Sequence, residues 1–170
     1  MHYGEFSDAG VLSFAGNGGI SLPHLMQSDL TDQAIANITL AQVITFDTDV
    51  HHHDIERTSA SRFTSKKTGS YLVTFSGIVI GTAGNKIEVW LRVNGSDVAN
   101  SNTSYTFKGT AVNGLVAVSF IQHLDKGDYF EFWTWGDSTS CKWDAMAAGS
   151  SPTRPAVPSI IITTNYVSFD

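Results

Sequence analysis

Lys86-Ile87-Glu88-Val89-Trp90-Leu91-Arg92-Val93-Asn94-Gly95 puts Ile87, Val89, Leu91 and Val93 on one side of an extended chain and Lys86, Glu88, Trp90 and Arg92 on the other. Successive side chains of a strand point to opposite faces. The stretch is therefore a strand with one face in a core and one toward solvent, the pattern of an antiparallel sheet. Asn94-Gly95 supplies the two positive φ angles that a tight hairpin needs, so the chain is expected to turn back through Ser96 to Ala99.

The same grammar extends in both directions. Upstream, Ile38 to Phe46 is rich in β-formers, Arg62-Phe63-Thr64-Ser65 reads as a short strand, and Gly69-Ser70 turns into the run Tyr71 to Ile80. Downstream, strands are expected at Ser104 to Phe107, Leu115 to His123, Asp128 to Trp135, Cys141 to Met146 and Ile160 to Phe169, with Asp125-Lys126-Gly127 as one of the turns. Pro152, Pro155 and Pro158 lack the N–H that a ladder requires, which keeps the segment before the last strand out of the sheet. Short strands with turns every 8–12 residues or so predict an all-β sandwich or barrel.

Composition bounds what such a domain can do. A chain of 170 residues buries about 70% of its unfolded surface, enough to fold without staples. Its single cysteine, Cys141, forbids an intramolecular disulfide. Net charge is −6, and no basic cluster exceeds Lys66-Lys67. Nucleic-acid binding needs several cations on one face, so it is set aside. Charged residues make up 15% of the chain, against about 25% in ordinary domains. The surface must then be rich in Ser, Thr, Asn and Gly. The opening Met1-His2-Tyr3-Gly4-Glu5-Phe6 has neither a basic nor a continuous apolar region, so it does not read as a secretion signal. No apolar run reaches the roughly 20 residues of a membrane span.

Residues 1–37 read differently from the rest. Gly4, Gly10, Gly16, Gly18 and Gly19 are interleaved with Phe6, Leu12, Phe14, Ile20 and Leu22, in neither a period of 2 nor one of 3.6. Glycine at this density disfavours regular elements, and one helical turn is allowed around Asp29 to Ile35. The expectation is an N-terminal arm, 1–37, ahead of a β domain, 38–170.

Phe63-x5-Gly69-x-Tyr71-x-Val73-x-Phe75, Val89-x-Leu91-x-Val93-Asn94-Gly95 and Leu124-x2-Gly127-Asp128-x-Phe130-x-Phe132, preceded by Ile44-Thr45-Phe46-Asp47, resemble the C1q/TNF-like jelly roll in order and spacing. Pro155-Ala156-Val157-Pro158-Ser159-Ile160-Ile161-Ile162 looks more like bacteriophage virion proteins that carry this fold. The resemblance implies a two-sheet antiparallel jelly-roll sandwich and a homotrimer. It also implies a particle surface as its place, reached after synthesis in the host cytoplasm.

Candidate sites are few. His51-His52-His53 lies near Asp47, Asp49 and Asp54. Consecutive residues on an extended chain cannot all face one metal ion, so the run is read as a solvated polar loop with no metal. Cys141 reads as a small buried hydrophobe. No nucleophile elbow, P-loop, zinc-helix or dinucleotide fingerprint is present, so neither an enzyme nor a cofactor is expected. Tyr129, Trp133 and Trp135 share the face opposite Phe130 and Phe132. They are read as the trimer interface, with a glycan platform as the alternative. The functional expectation is a trimeric capsid decoration (cement) protein, attached to the major capsid protein or its neighbours through Phe6, Leu12, Phe14, Ile20 and Leu22. The alternative is a head or tail fibre tip that binds a host receptor or glycan.

Overall fold

The computed structural model describes residues 22–168, together with the backbone of two short strands ahead of them. In chain order the strands are β1 (Glu5–Phe6), β2 (Leu12–Ser13), β3 (His24–Asp29), β4 (Gln33–Ala34), β5 (Gln42–Val43), β6 (Thr48–His53), β7 (Ile55–Arg57), β8 (Phe63–Ser65) and β9 (Gly69–Ile80). They continue as β10 (Lys86–Val93), β11 (Ser96–Asp97), β12 (Thr103–Thr106), β13 (Gly114–Leu124), β14 (Tyr129–Gly136), β15 (Lys142–Trp143), β16 (Gly149–Ser150), β17 (Thr153–Arg154) and β18 (Ile160–Ser168).

Two antiparallel sheets carry the fold. One runs β4-β15-β9-β18-β3-β6, with β13 also paired to β9. The other runs β11-β10-β14-β8-β7, with β12 on β10 and β5 on β14. Neighbours distant in sequence, such as β3 beside β18 and β10 beside β14, give the jelly-roll connectivity. Asn94 and Gly95 take φ of 49° and 80°, the mirror-image turn that matches strand twist.

Inward-facing side chains from both sheets close the core. Tyr71, Val73, Phe75, Ile160 and Ile162 meet Ile87, Val89, Leu91, Phe130 and Phe132, all essentially inaccessible. The Phe75 ring lies 4.8 Å from Phe132 and 5.2 Å from Trp143 between centroids. Burying each large apolar side chain contributes about 1.5–3 kcal/mol. Gly77 lets Trp143 lie against the backbone, since a Cβ there would come within 2.6 Å of the indole.

The boundary expected at residue 38 is corrected. The sheet begins at His24: β3 pairs with β18 from Asp29↔Ile160 to His24↔Asn165, and with β6 on its other side. The strand escapes a hydrophobic reading because its inward positions are partly polar. Gln27 is fully buried and donates to Asp49 Oδ1 at 2.6 Å. Asp29 is 2% exposed. The helical turn near Asp29 to Ile35 is not formed. The Asp29 carboxylate instead accepts from Thr31 N (2.7 Å), Thr31 Oγ1 (2.6 Å) and Gln33 Nε2 (3.0 Å), a side-chain turn that outcompetes a helix. Ile38 to Phe46 pairs as a strand only at Gln42–Val43. Ile44 N instead donates to Phe132 O, and Phe46 N to Ala60 O. Of the expected attachment residues, Leu22 is exposed at the entry to β3. The side chains of Phe6, Leu12, Phe14 and Ile20 lie outside the described residues.

Candidate functional site

The outer face of β10 and β14 alternates aromatic and charged side chains in register. Glu88 sits opposite Trp135, Trp90 opposite Trp133, and Arg92 opposite Glu131. Tyr129, Trp133 and Trp135 thus share one face, as their spacing requires, but their rings are half-buried under cations of the same chain. The guanidinium of Arg62 lies 4.4 Å from the Tyr129 ring centre and that of Arg92 4.3 Å from Trp133, while the Lys86 ammonium lies 5.1 Å from Trp135. The negative ring face attracts each cation. Glu131, 5% exposed, anchors the arrangement by accepting from Arg62 Nε at 3.0 Å, Ser61 Oγ at 3.2 Å and Trp133 Nε1 at 3.4 Å.

Beside this stack lies a groove of about 350 Å³ between β10, β14 and the loop after β11, lined by Glu88, Trp90, Asp97, Asn100, Asn102 and Trp135. Its polar groups are tied down. Trp90 Nε1 donates to Asp97 Oδ1 at 2.8 Å, Asn102 Nδ2 to Glu88 Oε2 at 3.0 Å, and Trp135 Nε1 to the carbonyl of Ile38 at 2.7 Å. Lys86 Nζ lies 2.9 Å from Glu88 Oε1, and Arg92 Nε lies 3.0 Å from Asp97 Oδ1. Burial works against the Glu88 carboxylate, yet the donors Lys86 and Asn102 outweigh it and hold its pKa below the ordinary value. Sequence reasoning places Trp90 on the outward face but misses its loop partners. The signal available was a run of amides and an acid, Asp97 to Asn102, following a hairpin turn beside an outward tryptophan.

The outer face of the other sheet is of opposite character. Cross-strand rows set Ile121 beside Leu72 and Asn165, Ser119 beside Thr74 and Thr163, Ala117 beside Ser76 and Ile161, and Leu115 beside Ile78. Met26 of β3 extends the second row. No Asp, Glu, Lys or Arg stands in these rows. Ile121 is 72% exposed and Leu115 63%. Both stand on β13, an eleven-residue strand bonded to β9 alone.

His51, His52 and His53 lie in edge strand β6, not in a loop. Strand alternation sends His51 and His53 to one side, where they stack on His24 with ring centres 4.8 and 5.8 Å away. His52 points elsewhere and pairs with Asp49, Nδ1 to Oδ2 3.1 Å. Among the described residues, no three His, Cys, Asp or Glu side chains converge as metal ligands. Cys141 is buried, and burial pushes its thiol pKa up.

No family model matches the chain. No curated protein matches it either. Solved structures do. Murine APRIL, crystallised at pH 8.0, aligns over 86% of this chain and 100% of its own with a TM-score of 0.56 at 11% identity. The globular domain of the zebrafish complement 1qA protein aligns over 87% of this chain and 97% of its own with a TM-score of 0.51 at 14% identity. At such identities the likeness is one of fold, and the fold is the C1q/TNF-like jelly-roll sandwich.

Proposed function

We propose that the chain is a structural protein of a virus particle that assembles as a homotrimer through the outer face of β13, β9, β18 and β3. The observation that carries this reading is the uncharged, exposed sheet face bordered by β13. A long edge strand with large apolar side chains and no Asp, Glu, Lys or Arg between Gly114 and Leu124 invites pairing or aggregation unless something covers it. Three copies can turn this face toward a shared threefold axis, where a surface without Asp, Glu, Lys or Arg meets its symmetry mates without repulsion. The threefold count follows from the resemblance to C1q/TNF-like domains. The aromatic face, by contrast, already carries Arg62, Arg92 and Lys86 over one side of its rings, which sets three cations where a second copy would have to pack. Light scattering decides between the two faces. Ile121→Glu should give monomers, and Trp133→Glu should leave the trimer intact. The reverse result assigns the interface to Tyr129, Trp133 and Trp135.

In this reading residues 1–21 are the attachment device, with Phe6, Leu12, Phe14 and Ile20 received by the major capsid protein or a neighbouring virion protein. The sandwich is what the particle displays. Three linked arms would multiply weak contacts. A chain beginning at Leu22 should remain trimeric and fail to decorate particles that lack the native protein. Decoration equal to that of the full chain would remove the arm from the mechanism. The groove beside Trp90 and Trp135 favours a second reading, a fibre head that binds a host surface. Copy number separates the two, since hundreds per particle mean decoration and a small multiple of three at one vertex means a fibre.

A further inference from the structure

We infer that the groove between Trp90 and Trp135 is a binding site for a neutral saccharide, taken as a single pyranose ring at the end of a glycan. Its biological setting rests on the displayed-head reading, whereas binding by the purified protein does not.

Three features select the ligand class. The first is the pairing of two indoles with acids and amides in one concavity, Trp90 and Trp135 with Glu88, Asp97, Asn100 and Asn102. Small-ligand sites combine apolar and aromatic walls with a few placed polar groups. A sugar ring presents both halves of that requirement, C–H faces for the indoles and a rim of hydroxyls for the carboxylates and amides. The volume, about 350 Å³, lies near the lower end of the roughly 300–1,000 Å³ range of such sites, which suits one ring better than an extended chain.

The second feature is charge. Two carboxylates beside two tryptophans would ordinarily suggest a cage for an ammonium group. Here each acid already has a cation of its own, Lys86 on Glu88 and Arg92 on Asp97. With two acids matched by two bases, the groove favours neither a cation nor an anion, and a neutral polyhydroxyl ligand is the class that loses nothing by that balance.

The third feature is that the groups are held but not used up. The Trp90 and Trp135 N–H groups are both committed, to Asp97 and to the Ile38 carbonyl, which fixes the two ring planes before a ligand arrives. Trp90 Nε1 and Arg92 Nε both reach Asp97 Oδ1, so Oδ2 remains available to a ligand hydroxyl. An ionised carboxylate offers about four acceptor positions. The Glu88 carboxylate, kept ionised by its donors, therefore has acceptor capacity beyond Lys86 and Asn102. The groove also lies on the sheet opposite the uncharged assembly face, so trimer formation leaves it facing outward.

The test uses the purified full-length chain with glucose, galactose, N-acetylglucosamine and N-acetylgalactosamine as probes, and choline and sulfate as charged comparisons. Saturation-transfer NMR and tryptophan fluorescence are the readouts. At least one neutral sugar should bind with a dissociation constant on the order of 1 mM, the range open to so small a ligand. Trp135→Ala and Asn102→Ala should each weaken it tenfold or more, and Tyr129→Ala, on the same sheet face but outside the groove, should leave it unchanged. Asn102 is exposed, so its loss spares the fold if Trp135→Ala does not. The inference is overturned if no neutral sugar binds, if choline or sulfate binds in their place, or if binding survives both groove changes. Light scattering on the same samples reports the oligomeric state, so failure of the saccharide site and failure of the assembly reading are seen separately.

Discussion

Leu91 stands at the centre of the core, fully buried between the sheets, and its alternation with Trp90 and Arg92 made it legible from the sequence alone. Leu91→Ala should cost about 2–5 kcal/mol in a urea titration, as deletions of buried leucine do. A loss under about 0.5 kcal/mol would put the strand in the wrong register. Asp32 was not legible, because its role depends on a partner distant in the chain. Its carboxylate accepts from Lys142 Nζ at 2.5 Å and from Ala145 N at 2.9 Å. These bonds, Lys142 first and Ala145 second, hold its pKa below the ordinary 3.8. A depressed folded-state pKa contributes stability above the unfolded pKa, and that stability is lost as pH falls through the folded value. Asp32→Asn should therefore destabilise the protein at pH 7, by under about 1 kcal/mol for so exposed a pair. The gap to the parent should close on acidification below pH 3.8. A gap that stays constant down to the acid transition would show that the Lys142 contact carries no net stabilisation.

At the scale of elements, the strands that face solvent on one side were legible and those with polar inward positions were not. Lys86–Val93 and Phe63–Ser65 appear where their patterns put them. His24–Asp29 stayed hidden because Gln27 occupies a core position, where a lone polar residue reads as the end of a strand. The Trp90–Trp135 groove stayed hidden for a different reason. Two of its walls, Asn100 and Asn102, come from a loop whose path turns at Asn100 with φ of 63°, and turn geometry has no periodicity to read. Gln27 adds a side-chain bond to the β3–β6 backbone ladder, its Nε2 to Asp49 Oδ1. Asp49→Ala should strip that buried amide of its acceptor and cost about 1–3 kcal/mol. Combining it with Gln27→Leu should recover part of the loss, because both partners are then apolar. Additive losses in the double variant, followed by chemical denaturation, would show that the two residues act independently.

The molecule as a whole has two unlike faces, one sheet covered by cation–aromatic stacks and ion pairs and the other, across β13, β9 and β18, by aliphatic, Ser and Thr side chains, with the His24, His51 and His53 stack at its β3–β6 edge and the Lys142–Asp32 pair at its β15–β4 edge. That division gives the trimer a salt signature. An interface built from exposed ion pairs weakens as added salt shortens the screening length from about 10 Å at 0.1 M to about 3 Å at 1 M. One built on the uncharged face should hold or tighten, most clearly in sulfate, which strengthens apolar burial. Sedimentation equilibrium across that range checks it, and dissociation at high salt would move the interface to the charged sheet. The same connectivity that makes the sandwich also orders events during synthesis. β18 lies between β9 and β3, so the central seam of one sheet waits for residues 160–168 to clear the ribosomal tunnel. Until then the β3–β6 pair has no inner neighbour to join, and Val73, Phe75 and Leu25 wait for the strand that separates them. Ribosomes stalled before residue 160 should hold a nascent chain that proteases cut freely, and resistance should appear at a single step once residues 160–168 leave the tunnel, on release of the chain or when a flexible linker added after Asp170 carries them out.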